Sequence, residues 1–199
     1  MKVAKHAVQH ILGAASDPGE QPAAEILFDD CGYTLKTYDM WLDADEFEQR
    51  CDNGHGAAAR DDQATAVEQY GRALELYSGD FLQGLSAEWA REQQDSLRSL
   101  ALGAAEYLLR DALCRDDLPQ VIALSRRTLD IDPYQEDVYR TLIQVHGELG
   151  QLGQAKAWYD LCRRRMSGEL GIDISADTQR VFQRMTGVRK PRAASRPGT

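Results

Sequence analysis

An all-α fold is what this sequence predicts, a right-handed stack of antiparallel helix pairs preceded by a small N-terminal helix and β-hairpin. Three observations predict it. Positions 105–133 and 139–167 align at a constant offset of 34 residues, with Leu108 on Leu142, Leu109 on Ile143, Leu118 on Leu152, Val121 on Ala155 and Leu124 on Trp158. Apolar residues through this region recur at the spacing of one helix face. Pro133 closes the first copy, and Ala155 with Tyr159 supplies the alternation of small and large side chains that lets paired helices approach and then fills the remaining space.

Thirty-four residues is the length of a helix–turn–helix unit of the tetratricopeptide (TPR) type, which buries its apolar face only by stacking on neighbours. Residues 1–14 read as an amphipathic helix with Val3, Ala7, Ile11 and Ala14 on one face. Ser16-Asp-Pro-Gly19 ends it. Glu25–Phe28 and Tyr33–Tyr38 are β-prone runs joined by Asp29-Asp-Cys-Gly32, a hairpin signal. Asp43 and Asp45 open a short helix through Phe47 to Cys51, which Asn53-Gly-His-Gly56 is expected to stop. Asp61 or Asp62 caps the next helix, running to Tyr77, and Ser78-Gly79 ends it. After an apolar connector, Ser86 starts a long helix whose stripe includes Trp89, Leu97, Leu100 and Leu108.

The two clear repeats then pair 101–115 with 117–131 and 135–149 with 151–167. The earlier Ala66-x3-Tyr70-x2-Ala73 carries the same signal out of phase, and the connector 78–100 accounts for the excess length. Ser175 to Met185 reads as a last helix capping the stack. Residues 188–199 have the composition of a disordered basic tail. Three segments follow: 1–38, 39–187 and 188–199.

The net charge of −9 is unevenly spread: residues 13–187 carry −15, residues 1–12 carry +2 and residues 188–199 carry +4. A body of that charge repels a phosphate backbone, so nucleic-acid contact is expected only from an end. No apolar run reaches membrane-spanning length, and Gln9-His10 interrupts any signal-peptide core, so secretion is not expected. Cys31, Cys51, Cys114 and Cys162 lack metal-ligand spacing and read as buried small residues of a reducing cytoplasm, Cys31 being the expected exception.

Trp41-Leu-Asp-Ala-Asp-Glu-Phe47, Ala73-Leu-Glu-Leu-Tyr-Ser-Gly-Asp-Phe-Leu82, Trp89-x-x-Glu92-x-x-x-x-Leu97 and Glu169-Leu-Gly-Ile172 follow one another along the chain. In that order they resemble the bacterial transcriptional activator domain, the helical module of antibiotic-pathway regulators, over residues 41–185. The resemblance implies a TPR-like fold and a regulatory role. It also implies that residues 1–38 are the end of a response-regulator-type winged helix, with 1–14 in the place of the recognition helix and 25–38 as the wing. The earlier helices and leading sheet of such a module are absent, and Gln9-His-Ile-Leu-Gly13 stands where the family has arginines. The chain is therefore read as a fragment whose own DNA-binding half is incomplete, the alternative being a DNA-reading half that has degenerated.

Catalysis has no support in the sequence. His6 and His10 share a helix face without an HExxH motif or a third ligand, His55 lies between glycines in a predicted loop, and His146 occupies an aromatic slot of the repeat. Asp29-Asp30 and Asp116-Asp117 stand at turns, where aspartate satisfies backbone donors. Arg163-Arg-Arg165 fits a helix C-terminus. No cofactor or metal site is expected. The inner helices of the stack place Glu106, Arg110, Asp137, Arg140 and Gln144 on a concave side suited to a protein partner, whether a second copy or the transcription machinery. Lys2, Lys5 and His6 are the DNA-proximal candidates, acting only through a complete winged helix. The expected function is that of an interaction module of a transcriptional activator. The competing expectation is a free-standing TPR adaptor.

Overall fold

The computed structural model describes residues 24–29, 32–37 and 41–187. Two compact units divide between Glu46 and Phe47. In the first, β1 (Ala24–Asp29) and β2 (Gly32–Thr37) pair antiparallel, with Ile26 opposite Leu35 and Phe28 opposite Tyr33. Helix 1–14 and the tail 188–199 lie outside the described residues.

The second unit is helical. Its elements are α1 (Asp43–Ala59, entering from the first unit), α2 (Gln63–Leu76), α3 (Glu88–Cys114), α4 (Leu118–Ile131), α5 (Glu136–Glu148), α6 (Leu152–Arg163) and α7 (Ala176–Thr186). A π-helical turn, Arg164–Glu169, follows α6 directly. Each helix from α2 to α5 packs on its successor, α5 packs on α6, and α7 lies against both α5 and α6. Consecutive helices joined by short turns pack antiparallel, the TPR-like arrangement.

The turns inside the three helix pairs repeat one backbone design. Asp61, Asp116 and Gly150 occupy the left-handed region at φ 59°, 53° and 70°. The next residue then donates its backbone N–H five residues back: Asp62 to Ala57, Asp117 to Ala112, and Gln151 to His146. Asp62 and Asp117 also cap the following helix, accepting from the Thr65 and Gln120 N–H groups at 3.2 Å. Gln151 gives α6 no side-chain cap. Its side-chain amide oxygen Oε1 lies 2.7 Å from Nδ1 of His146 instead. The three turns place Ala66, Val121 and Ala155 in matching buried positions.

Several sequence expectations are corrected. Asn53-Gly-His-Gly56 does not stop α1, which runs to Ala59, so His55 is on a helix rather than in a loop. Gly54 is there because α2 passes over it: a Cβ at this position would come within 2.9 Å of the Tyr70 ring. The long helix begins at Glu88 rather than Ser86, because the Ala87 backbone is extended. Trp89 is exposed and not part of the buried stripe, which Ala90, Leu97, Ala101, Ala104, Ala105 and Leu108 form. The expected helix over 151–167 gives way at Arg164 to the π turn, and α6 itself ends at Arg163. Cys51 and Cys162 are buried, but Cys114 is exposed at the end of α3. Cys31 is outside the described residues.

The connector between α2 and α3 is fastened on both sides. Asp80 accepts from Arg98 at 2.6 and 3.3 Å, Gln94 donates to the Phe81 carbonyl at 2.7 Å, and Arg127 of α4 bonds the Tyr77 carbonyl. The core of the last repeat gathers Leu129, Val138, Tyr139, Leu142, Cys162, Met166 and Ile174, with Trp158 and Tyr159 against it. Tyr139, fully buried, donates to the Pro133 carbonyl at 2.9 Å and accepts from Arg165 at 2.6 Å. Glu136 holds α7 in place: one of its oxygens accepts from the Ser175 N–H at 2.9 Å, the Ser175 hydroxyl at 2.6 Å and the buried Thr178 hydroxyl at 2.5 Å.

Candidate partner-binding groove

Three of the cavities among the described residues lie between helices of different pairs or between the last pair and α7. The first, about 320 Å³, lies between α1, α2 and α3 and includes Asp52, His55, Tyr70, Tyr107 and Arg110 in its walls. A second, about 520 Å³, lies between α3, α4 and α5, with Leu102, Leu109 and Val138 under Glu106, Asp137 and Thr141. Ser99 and Gly103 wall both of them. The third, about 480 Å³, is made by Arg140 of α5 and by Asp177, Arg180, Val181 and Arg184 of α7. Arg140 pairs with Asp137, which joins the second cavity to the third.

Local sequence explains this arrangement. Along α3 the residues Ser99, Gly103, Glu106 and Arg110 recur at helical spacing on one side, opposite the alanine-rich buried stripe. On α7 the positions 177, 180, 181 and 184 do the same. Gly103 has open space where a side chain would be, which leaves the groove floor low at the point shared by two cavities.

Of the residues expected to meet a partner, Glu106 and Asp137 come together in the central cavity. Arg110 lines the first cavity and Arg140 the third. Arg110 also pairs with Glu106 at 3.0 Å along one turn of α3. Gln144 is half-buried and donates to Glu148 at 2.9 Å; it lines none of these three cavities. Lys2, Lys5 and His6 fall outside the described residues. Sequence reasoning missed Asp52, Thr141, Arg180 and Arg184. The 177–180–181–184 spacing was the available signal for the last two, hidden because α7 was read only as a cap.

Burial first, then the Asp52 and Glu48 carboxylates, push the Cys51 thiol up to about 11, so it is protonated and unreactive at neutral pH. Burial, with the Glu136 charge beside it, carries the Cys162 thiol up to about 12. Partial burial raises the Glu136 carboxyl, but hydrogen bonds from Ser175 and Thr178 and the nearby Arg140 outweigh it and hold the group below its ordinary value. His146 is a packed core histidine on α5. Among the described residues, no group of three or more His, Cys, Asp or Glu side chains is placed to hold a metal ion, and no helix is long and apolar enough to cross a membrane.

Residues 42–186 match the bacterial transcriptional activator domain, a span that opens just before α1 and closes on the last residue of α7. The chain belongs to that family. The match to this activator domain contains all three cavities and every helix that lines them. No curated protein matches the sequence. Among solved structures, the chain is similar to the C-terminal TPR-containing domain of a Plasmodium falciparum FK506-binding protein. That likeness has 13% identity and a TM-score of 0.49, and covers 74% of this chain and 92% of the other.

Proposed function

We propose that this activator domain is the partner-gripping module of a bacterial transcription regulator, working in the cytoplasm beside the chromosome. Its inner groove holds a segment of another protein, a second copy of the regulator or a subunit of the transcription machinery. DNA recognition belongs to a winged helix of which residues 1–38 supply only the end, with Lys2, Lys5 and His6 nearest the DNA. The observation that carries this reading is the family match over residues 42–186, the same residues that build the groove. A groove with an apolar floor and charged rims is the form that peptide recognition by a helical stack requires. The acidic body argues against promoter binding by the stack itself.

Fusing the chain to an unrelated DNA-binding domain tests the proposal. Such a fusion should raise transcription from a reporter carrying that domain's site, and Gly103→Trp, whose Cβ has open space and whose ring would occupy the cavities that Gly103 walls, should return it to background. A fusion that folds yet leaves the reporter silent would favour the competing reading of a free-standing adaptor unconnected with transcription.

A further inference from the structure

Cations outnumber carboxylates in the walls of the cavity at the α5–α7 end of the groove. Arg140, Arg180 and Arg184 converge on one cavity of about 480 Å³, and Asp177 is the carboxylate among them. Arg180 pairs with Asp177, Arg140 reaches Asp137 and, at 3.9 Å, Asp177. Arg184 has no carboxylate within ion-pair reach among the described residues. Residues 13–187 carry −15, so three arginines around one acid run against the surrounding composition.

We propose that this end of the groove is a seat for the carboxylate side chains of an acidic segment of a partner protein. The inference rests on the groove being a binding surface and adds the chemistry of its occupant. Helix dipoles account for only part of the arginine placement. Arg184 lies in the last turn of α7, where a cation is stabilised, but Arg140 is in the second turn of α5, away from that helix's C-terminus. A planar guanidinium fork matches a carboxylate with two hydrogen bonds, and Val181 between the arginines gives the occupant an apolar contact. The adjoining central cavity is walled by Glu106 and Asp137 with no lysine or arginine in its lining, which gives a direction: the occupant's acidic stretch lies at α7, and its neutral or basic continuation lies over α3. A nucleic acid is disfavoured, because a polyanion long enough to engage these arginines also meets the acidic body, whereas a short acidic segment does not.

Fluorescence anisotropy with the full chain decides it, using a fluorescein-labelled peptide of alternating glutamate and leucine and its lysine–leucine twin. The glutamate peptide should bind and the lysine peptide should bind at least about tenfold more weakly, a difference of one arginine–carboxylate pair's order. Arg180→Glu with Arg184→Glu should weaken the glutamate peptide about tenfold or more. Asp177→Asn, which removes the competing acid, should strengthen it, and Arg72→Glu, at an exposed position of α2 that lines none of these cavities, should leave it unchanged. Circular dichroism checks that these exposed substitutions keep the helices. Equal binding of the two peptides, or indifference to the double reversal, overturns the seat. Loss of binding with Gly103→Trp but not with the double reversal keeps the groove and removes the seat. Binding of a labelled DNA duplex lost with the double reversal, with no peptide binding, also overturns it.

Discussion

The helix pairs α3–α4 and α5–α6 follow one backbone frame and fill it with different side chains. Ala105 and Ala112 on the inner helix of the first pair become Tyr139 and His146 in the second, all four buried. On the outer helix the exchange runs the other way at one position, Val121 becoming Ala155, while Leu124 and Ser125 become Trp158 and Tyr159. Tyr159 stacks on Phe182 of α7 with ring centroids 4.0 Å apart, and Trp158 sits 6.2 Å from Tyr139. The first pair therefore packs by close approach of small residues, the second by aromatic bulk that also binds the last helix. Helix spacing and turn geometry define the repeat; side-chain volume is negotiated locally.

The largest test of that difference is Tyr139→Ala, which installs the first pair's residue in the second. It should cost about 3–5 kcal/mol in urea denaturation, because the ring's volume and both its hydrogen bonds disappear. A loss under about 1 kcal/mol would mean that the two pairs are interchangeable after all.

The turns offer a smaller and sharper contrast. Gly150→Ala puts a Cβ at φ 70° and should cost about 1–2 kcal/mol. The reciprocal Asp116→Gly should not destabilise by more than about 0.5 kcal/mol, since relief of the left-handed aspartate offsets the added chain entropy. Equal losses at both sites would show that the shared dihedrals do not govern these turns.

Smallest is the α7 attachment, peculiar to the second pair. Glu136→Gln should lower stability by about 1 kcal/mol at neutral pH through weakened bonds to Ser175 and Thr178. Because the folded carboxyl titrates below its ordinary value of 4.5, its contribution is complete above that value and lost as pH falls beneath it. The difference between wild type and variant should accordingly shrink in acid; a gap that stays constant from neutral pH to strong acid refutes the role given to this charge.

Much of the frame was legible because periodicity is a local property. The 34-residue offset, the helix pairs after residue 100 and the capping aspartates all follow from spacing and turn chemistry. What failed depended on residues distant in sequence. Gly54 reads as a helix breaker until Tyr70 is known to cross it at close range. Trp89 reads as core until the helix places its alanines inward instead. On α3 and α5 the repeat indicates which helix faces inward, and Glu106, Arg110, Asp137 and Arg140 of those helices line cavities. Helix α7 has no repeat copy to align with, so its cavity-lining arginines carried no such signal, and Gln144 lines none of the three cavities but bonds Glu148.

Helix α3 is unbroken over 27 residues, about 40 Å, and packs against both α2 and α4. Asp80 and Phe81 tether the preceding loop to its side, so no hinge interrupts this length. A continuous helix of this length acts as a strut, setting the spacing between what packs near Glu88 and what packs near Cys114 through its own rise per residue.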